Sequence, residues 1–289
     1  EIYIEIKDYA IYKNRMLMLD IINANNWERP IYFSGGAFSD EDYIWMKNYL
    51  QLDGCAFRLL PIKTDLGKSR NPFNMGRVDA LHGYEIIKKW DWGNSGDPDM
   101  YHDVETRRNS IGYRNNLSRV AEALTKEGEN AKAEEILDLG MEKMPLEIFE
   151  NYSMISEFVN AYYKNNNRDK ARDLAQRVIA KFQDEIDHYK MLTYEERGAN
   201  VDNIGAAISR YNEIIEIAIL HEDDTLVQQE AETYDNYVKE FPKIFGDDFL
   251  INKDATIENE NSELDNIFQE ALDNIDTEDL LETNPQETP

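Results

Sequence analysis

Ile2, Ile4 and Ile6 open the chain with the every-second-residue alternation of a strand that buries one face. The period then lengthens. Tyr9, Tyr12, Met16, Leu19 and Ile22 recur at three- and four-residue steps, which predicts a helix over residues 9–22 with Asp8 as its N-cap and Asn25 and Asn26 as its stop. RPIYFSGG predicts a short strand closed by paired glycines, residues 43–50 a second helix, and CAFRLLPIK a further strand stopped by Pro61. The order β-α-β-α-β over residues 1–63 predicts a small α/β domain with a parallel or mixed sheet.

Residues 64–109 read differently. Gly67, Pro72, Gly76, Gly83, Gly93, Gly96 and Pro98 punctuate them around a single helix-like patch at 84–89, so a long ordered arm is expected here. After Ser110 the texture turns to alanine, leucine and glutamate with no strand signal. Residues 113–145 run as helix, Gly128 turn, helix and proline stop. Leu117, Ala121 and Leu124 stand on the first helix, and Ala133, Leu137 and Gly140 on the second. A second copy follows with Ile155, Phe158, Val159 and Tyr162, then Ala171, Ala175 and Val178, with the turn NNNRD between. The step from Ala133 to Ala171 is 38 residues, and Gln183 replaces the terminal proline. A third pair, 204–220 and 225–241 ended by Pro242, carries the stripe Ile204, Ala207, Ile208, Tyr211, Ile214, Ile215 and Ala218; a connecting helix is expected over 187–198. This pattern over 110–249 resembles tetratricopeptide repeats, whose period is about 34 residues and whose end repeats are atypical. Residues 250–289 form an acidic tail in which Leu264, Ile267, Phe268, Ala271, Leu272 and Ile275 recur at helical spacing; a mostly solvated tail with fleeting helix is the first reading, and a short amphipathic helix that docks on the stack or awaits a partner is the alternative. The fold class expected is therefore an α/β N-terminal domain followed by an all-α, tetratricopeptide-like helical-repeat domain, mostly α overall.

Composition agrees with a folded chain: 289 residues, 42% hydrophobic and 11% aromatic, enough for two domains with their own cores. The formal charge of −27 is uneven. It is −3 over residues 1–110, −13 over 111–250 and −11 over 251–289, so the helical half and tail repel phosphate backbones and nucleic acid is not an expected partner. No window offers the roughly 18 apolar residues that a membrane span needs. The chain begins at Glu1 within an alternating pattern, which is the reading of a piece of a longer protein with membrane segments upstream. The single cysteine, Cys55, forbids an internal disulfide and is expected to be a small buried hydrophobe.

Catalytic signatures are sparse. GxGxxG, GxxxxGK[ST], HExxH and GxSxG are all missing, and His82, His102, His188 and His221 lie far apart without metal-ligand spacing, so no metal and no cofactor is expected. His102 beside Asp103 and Glu105 could in principle be an oriented base, but neighbours in sequence seldom face one another. Trp27, Trp45, Trp90 and Trp92 all precede residue 93, and WERPIYF and KWDWGN could line a glycan groove, since aromatic faces stack on sugar rings; packing of the arm onto the sheet and helices is the competing reading. Arg107, Arg108 and Arg114 with Asp99, Asp103 and Glu105 predict an ion-pair cluster at the domain junction.

The succession MLMLDIINANNWERPIYFSGG, YLQLDGCAFRLLPIK, GRVDALHGYEIIKKWDWGN, MYHDVETRRNSIGYRNNLSRVAEAL and LDLGMEKMP over residues 16–145 resembles the C-terminal soluble region of a bacterial family of multi-spanning membrane proteins. That family is classed as glycosyltransferase family 117 and is similar to protein O-mannosyltransferases. The resemblance implies a parent with an N-terminal membrane domain of the GT-C type that uses a lipid-linked sugar. Its catalytic acid would lie in a loop of that membrane part, so no catalytic residue carries over. The matching positions are Trp27, Arg29, Pro30, Tyr32, Gly54, Pro61, Trp92, Gly93, Asn94, Tyr101, Asp103, Arg107 and Arg114, while GGAFSDEDYIWMKNYL and His102 depart from the family's pattern. The expected binding residues are Trp27, Arg29, Tyr32, Trp90, Trp92, Asn94, Tyr101, Asp103, Arg107 and Arg114. The expected function is a non-catalytic module on the periplasmic side of the inner membrane. Its expected partners are the upstream membrane domain, a protein partner or acceptor on the repeat surface, and a glycan or lipid-linked sugar. The rival is an independent repeat scaffold of the cell envelope with no sugar chemistry.

Overall fold

Left-handed Asn26 (φ 46°) stops the first helix, α1, Lys13–Asn25, at the asparagine pair that predicts its end, while its first residue, Lys13, comes later than the periodicity predicts. The structure is a computed structural model that describes residues 11–34, 46–65, 75–150, 152 and 154–241, all within one compact unit, Glu1–Phe249. The strand expected at Ile2–Ile6, the Asp8 cap, Trp45, Pro242 and the tail helix lie outside the described residues. No residue of α1 is buried, with Met16 59% and Ile21 57% exposed.

Strand β1 is Tyr32–Ser34. The helix predicted over 43–50 is corrected where it is described: residues 46–49 make a single 3-10 turn, and Leu50 already opens β2, Leu50–Asp53. Asp53-Gly54 is the reason. Gly54 takes φ +67° at the first position of a two-residue turn, a conformation glycine adopts without strain, and this folds β2 back on β3, Ala56–Leu59, as an antiparallel hairpin. β4, Arg77–Val78, adds to β2 in parallel, giving a mixed sheet in the order β1-β3-β2-β4. Phe33, Phe57, Leu52 and Val78 pair across the four strands as one rung. Tyr32, Arg58, Gln51 and Arg77 form the rung beside it, pointing to the other face.

Helix α2, Ala80–Ile87, starts where the Asp79 carboxylate accepts from the His82 backbone N–H at 3.1 Å. Beyond it lie α3 (Val104–Lys126), α4 (Asn130–Lys143), α5 (Leu146–Phe149), α6 (Ile155–Lys164), α7 (Arg168–Met191), α8 (Tyr194–Ala199), α9 (Val201–Leu220) and α10 (Asp224–Glu240). The described chain is thus mostly helical, with a small N-terminal mixed sheet. α7 runs to Met191 and so takes the first part of the connecting helix predicted over 187–198; the rest is α8, begun by a Thr193–Glu196 capping box.

Three helical hairpins, α3/α4, α6/α7 and α9/α10, close with the same turn. One left-handed residue stands in each: Gly128 (φ 83°), Asn166 (φ 61°) and Glu222 (φ 54°). In each the following N–H reaches back to the last full turn of the first helix: Glu129 to the Leu124 carbonyl, Asn167 to Tyr162 and Asp223 to Ala218, at 2.9, 2.9 and 2.8 Å. Asn166 and Glu222 therefore hold a geometry that glycine would take more cheaply. The core follows the hairpins. Leu117, Val120, Leu124, Ile136, Leu137, Ile155, Phe158, Val159, Ala171, Val178, Ile208 and Tyr211 are all fully buried, each large aliphatic contributing about 1.5–3 kcal/mol.

The segment predicted as an arm is fastened to the first hairpin. A Cβ on Gly83 would meet Val120 at 3.0 Å, and one on Gly96 would run into the Glu142 carbonyl. Arg119 Nη2 donates to the Gly76 carbonyl at 2.7 Å, and Glu135 takes both Tyr84 Oη and Lys88 Nζ. Among the described residues no helix is long and apolar enough to cross a membrane.

Candidate functional site at the hairpin tip

Alternation along β2 puts Gln51 and Asp53 on one face of the sheet, and Asp53 becomes the centre of a polar cluster. Its carboxylate is 4% exposed. Oδ1 accepts from Gln51 Nε2 at 3.0 Å and faces His82 Nε2 at 3.5 Å, while Tyr32 Oη lies 3.4 Å from Oδ2. The last two contacts are long, so the carboxylate has one good hydrogen bond and two loose neighbours. Tyr32 is 51% exposed and the His82 side chain 45%, so a hydroxyl and an imidazole reach the surface from a buried acid.

The next two residues meet aromatic rings. Gly54 has no room for a Cβ, which would sit 2.8 Å from Ile86 Cγ2 and 3.2 Å from the Trp90 ring, and its carbonyl accepts from Asn116 Nδ2 at 3.0 Å. Trp90, Trp92 and Tyr113 cluster with centroids 5.3, 5.6 and 5.8 Å apart in tilted and edge-on pairs. Cys55, expected to be buried, is exposed at the turn; its sulfur faces the Tyr113 hydroxyl, and burial on that side pushes the thiol pKa up against the hydrogen bond. Burial likewise raises the Tyr113 phenol. Trp92 Nε1 and Ser95 Oγ are buried without a hydrogen-bond partner.

The expected site residues are only partly brought together. Trp90 and Trp92 touch each other, and Tyr32 reaches the same hairpin tip through Asp53. Trp27, at φ 61° just past α1, and Arg29 are exposed; Asn94 turns the arm, its carbonyl taking the Asp97 N–H at 3.0 Å; and Tyr101 is 83% exposed. Asp103 caps α3, accepting from the Glu105 and Thr106 N–H groups at 2.9 and 3.0 Å, and these bonds with the Thr106 hydroxyl hold its carboxyl below the usual range. His102 instead bonds the Ser95 carbonyl at 3.1 Å and stacks near Phe149. Arg107 pairs with Glu150, and Arg114 is fully buried, its Nη2 donating to the Met144 carbonyl at 3.0 Å. Burial pushes the Arg114 pKa down to about 10, which still leaves it charged at neutral pH. Of the junction cluster expected from Arg107, Arg108, Arg114, Asp99, Asp103 and Glu105, therefore, Arg107, Arg114 and Asp103 go to three separate structural contacts.

Gln51, Asp53 and His82 are functional candidates that sequence reasoning passed over. Their signal was the Asp-Gly pair between apolar alternations, which marks a hairpin and hence a shared face. Chemically, the tip offers a hydroxyl, an imidazole and a carboxylate beside aromatic rings, a set that suits hydrogen bonding and stacking to a polyol. Gly54→Ala should loosen all of it. A positive φ and contact with Ile86 and Trp90 predict about 1–2 kcal/mol lost in urea unfolding and a shifted tryptophan emission; unchanged stability and emission would show that the tip is slack.

Residues 1–82 match the family described as TMEM260-associated domain 2. The matched stretch takes in Tyr32, Gln51, Asp53 and His82 and ends before Trp90. No curated protein and no solved structure matches the chain.

Proposed function

We propose that this chain is a non-catalytic, extracytoplasmic module of a membrane glycosyltransferase-like protein, in which the hairpins hold or present a protein acceptor. The observation that supports the presenting role is the turn repeated at Gly128, Asn166 and Glu222, which closes all three hairpins with one geometry, as expected of repeated units. Leu117, Val120, Ala121, Leu124, Ala133, Leu137 and Pro145 keep the spacing of the tetratricopeptide pattern, and Ile155, Phe158, Val159, Tyr162, Ala171 and Ala175 repeat most of it. Stacks of this kind offer an extended surface for a peptide or protein. The match over residues 1–82 supports kinship with a membrane-associated protein, and the ordered blocks from residue 16 to 145 support the glycosyltransferase-like parent.

The module would lie on the periplasmic side of the inner membrane, fastened to the membrane part by the sheet end. The test is transfer by the parent with and without this chain. Its removal should abolish glycosylation of a folded protein acceptor and spare transfer to a short peptide, while protease added to spheroplasts should cut the module. Undiminished protein glycosylation, or protection from that protease, would sink the reading.

A further inference from the structure

The rung Tyr32–Arg58–Gln51–Arg77 spans the whole sheet, one residue from each strand. Directly paired residues share a face, so both arginines flank Gln51 on the side that also carries Asp53. They stand two strands apart, roughly 10 Å at the backbone. Two extended arginine side chains close that distance easily. Arg58 and Arg77 are each half-buried, yet neither guanidinium makes an ion pair or hydrogen bond with a described residue. The neighbouring carboxylate, Asp53, is occupied by Gln51, His82 and Tyr32 and pairs with neither of them. A third cation stands close by: Arg119 binds the carbonyl of Gly76, next to Arg77, and its Nη1 is buried without a hydrogen-bond partner.

Half-buried guanidinium groups without counter-ions are costly, and four other arginines among the described residues do have a carboxylate partner: Arg107 with Glu150, Arg172 with Asp223, Arg177 with Glu147 and Arg197 with Glu240. The forked guanidinium matches two oxygens of a tetrahedral anion, and two forks converging over Gln51 with the Tyr32 hydroxyl at the rim would surround one. We propose that this rung is a binding site for a phosphoryl anion, a phosphate monoester or diester gripped between Arg58 and Arg77. The overall charge of −27 offers no long-range attraction for such a ligand, so binding has to come from this local pair. The site stands independently of the acceptor-presenting role, and its failure would leave that role untouched.

Titration calorimetry of the intact chain with inorganic phosphate, with glucose 1-phosphate and with phosphatidylcholine vesicles, with or without phosphatidylglycerol, tests it. Arg58→Gln and Arg77→Gln should each weaken binding roughly tenfold, Arg58→Lys less, and the exposed Arg108→Gln not at all, with circular dichroism confirming that each is folded. Tighter binding to the anionic vesicles would identify a membrane phospholipid as the source, and tighter binding to glucose 1-phosphate a soluble one. No binding of any probe at millimolar concentration, or an affinity indifferent to both glutamine variants, would overturn the proposal.

Discussion

Phe158→Ala should remove about 3–5 kcal/mol of stability, read as an earlier midpoint in urea unfolding followed by far-UV circular dichroism. The ring is fully buried on α6 where that helix meets the first hairpin, and its edge lies against Gly140 of α4. A Cβ at Gly140 would sit 2.8 Å from two ring carbons and 3.0 Å from Leu117 Cδ1, so the ring fills the space that glycine leaves open. The two positions are therefore coupled. Gly140→Ala alone should destabilise by about 1–3 kcal/mol through overpacking, outweighing the roughly 1 kcal/mol by which alanine is the better helix former. In a Phe158→Leu background the clash is relieved and the same substitution should become neutral or stabilising. Additive effects in that double-mutant cycle would show that the ring and the glycine do not share one space.

Asp223→Ala is expected to cost about 3–5 kcal/mol. The side chain is fully buried at the start of α10, where Arg172 Nη2 donates to Oδ1 at 2.7 Å, Tyr163 Oη to Oδ2 at 2.8 Å and the Leu226 N–H to Oδ1 at 3.3 Å. One carboxylate thus ties α6, α7 and α10 together and caps the last of them. Burial alone would raise its pKa, but the bonds from Arg172 and Tyr163 outweigh it and hold the carboxyl below the ordinary range. A depressed folded-state pKa means that the contribution is complete above about pH 4, near the unfolded value, and is lost as the pH falls through the folded one. Asp223→Asn keeps the shape and removes the titration, so it should flatten that acid-side loss. A wild-type stability that is level from pH 5 down to pH 2 would refute the assignment.

The helical half was legible in the sequence because it is made of local contacts: three- and four-residue spacings, a glycine or asparagine turn, small residues where helices touch. Gly128, Ala133 and Gly140 all do what their spacing implies. The sheet was less so. The apolar run before Asp53 fits a helix and a strand equally, and periodicity alone cannot separate short buried elements. β4 has two residues, too few for any periodic signal, and its place beside β2 is fixed by a distant pairing. The candidate site was hidden for the same reason. Tyr32, Asp53 and His82 lie far apart in sequence and meet only because β1, β2 and α2 converge. Trp90 and Trp92 could be seen as a group, but their partners at Gly54 and Tyr113 could not.

α7 has 24 residues and α6 only 10, so at about 1.5 Å per residue the longer helix overhangs its partner by roughly 20 Å. That overhang gives α9 and α10 a shelf to stand on, and α7 is in effect a beam common to two storeys. A fragment ending at Met191 would strip α9 and α10 from the outer length of this beam and leave it bare. A shorter version of this protein that keeps α7 covered therefore has to keep α9 and α10 as well.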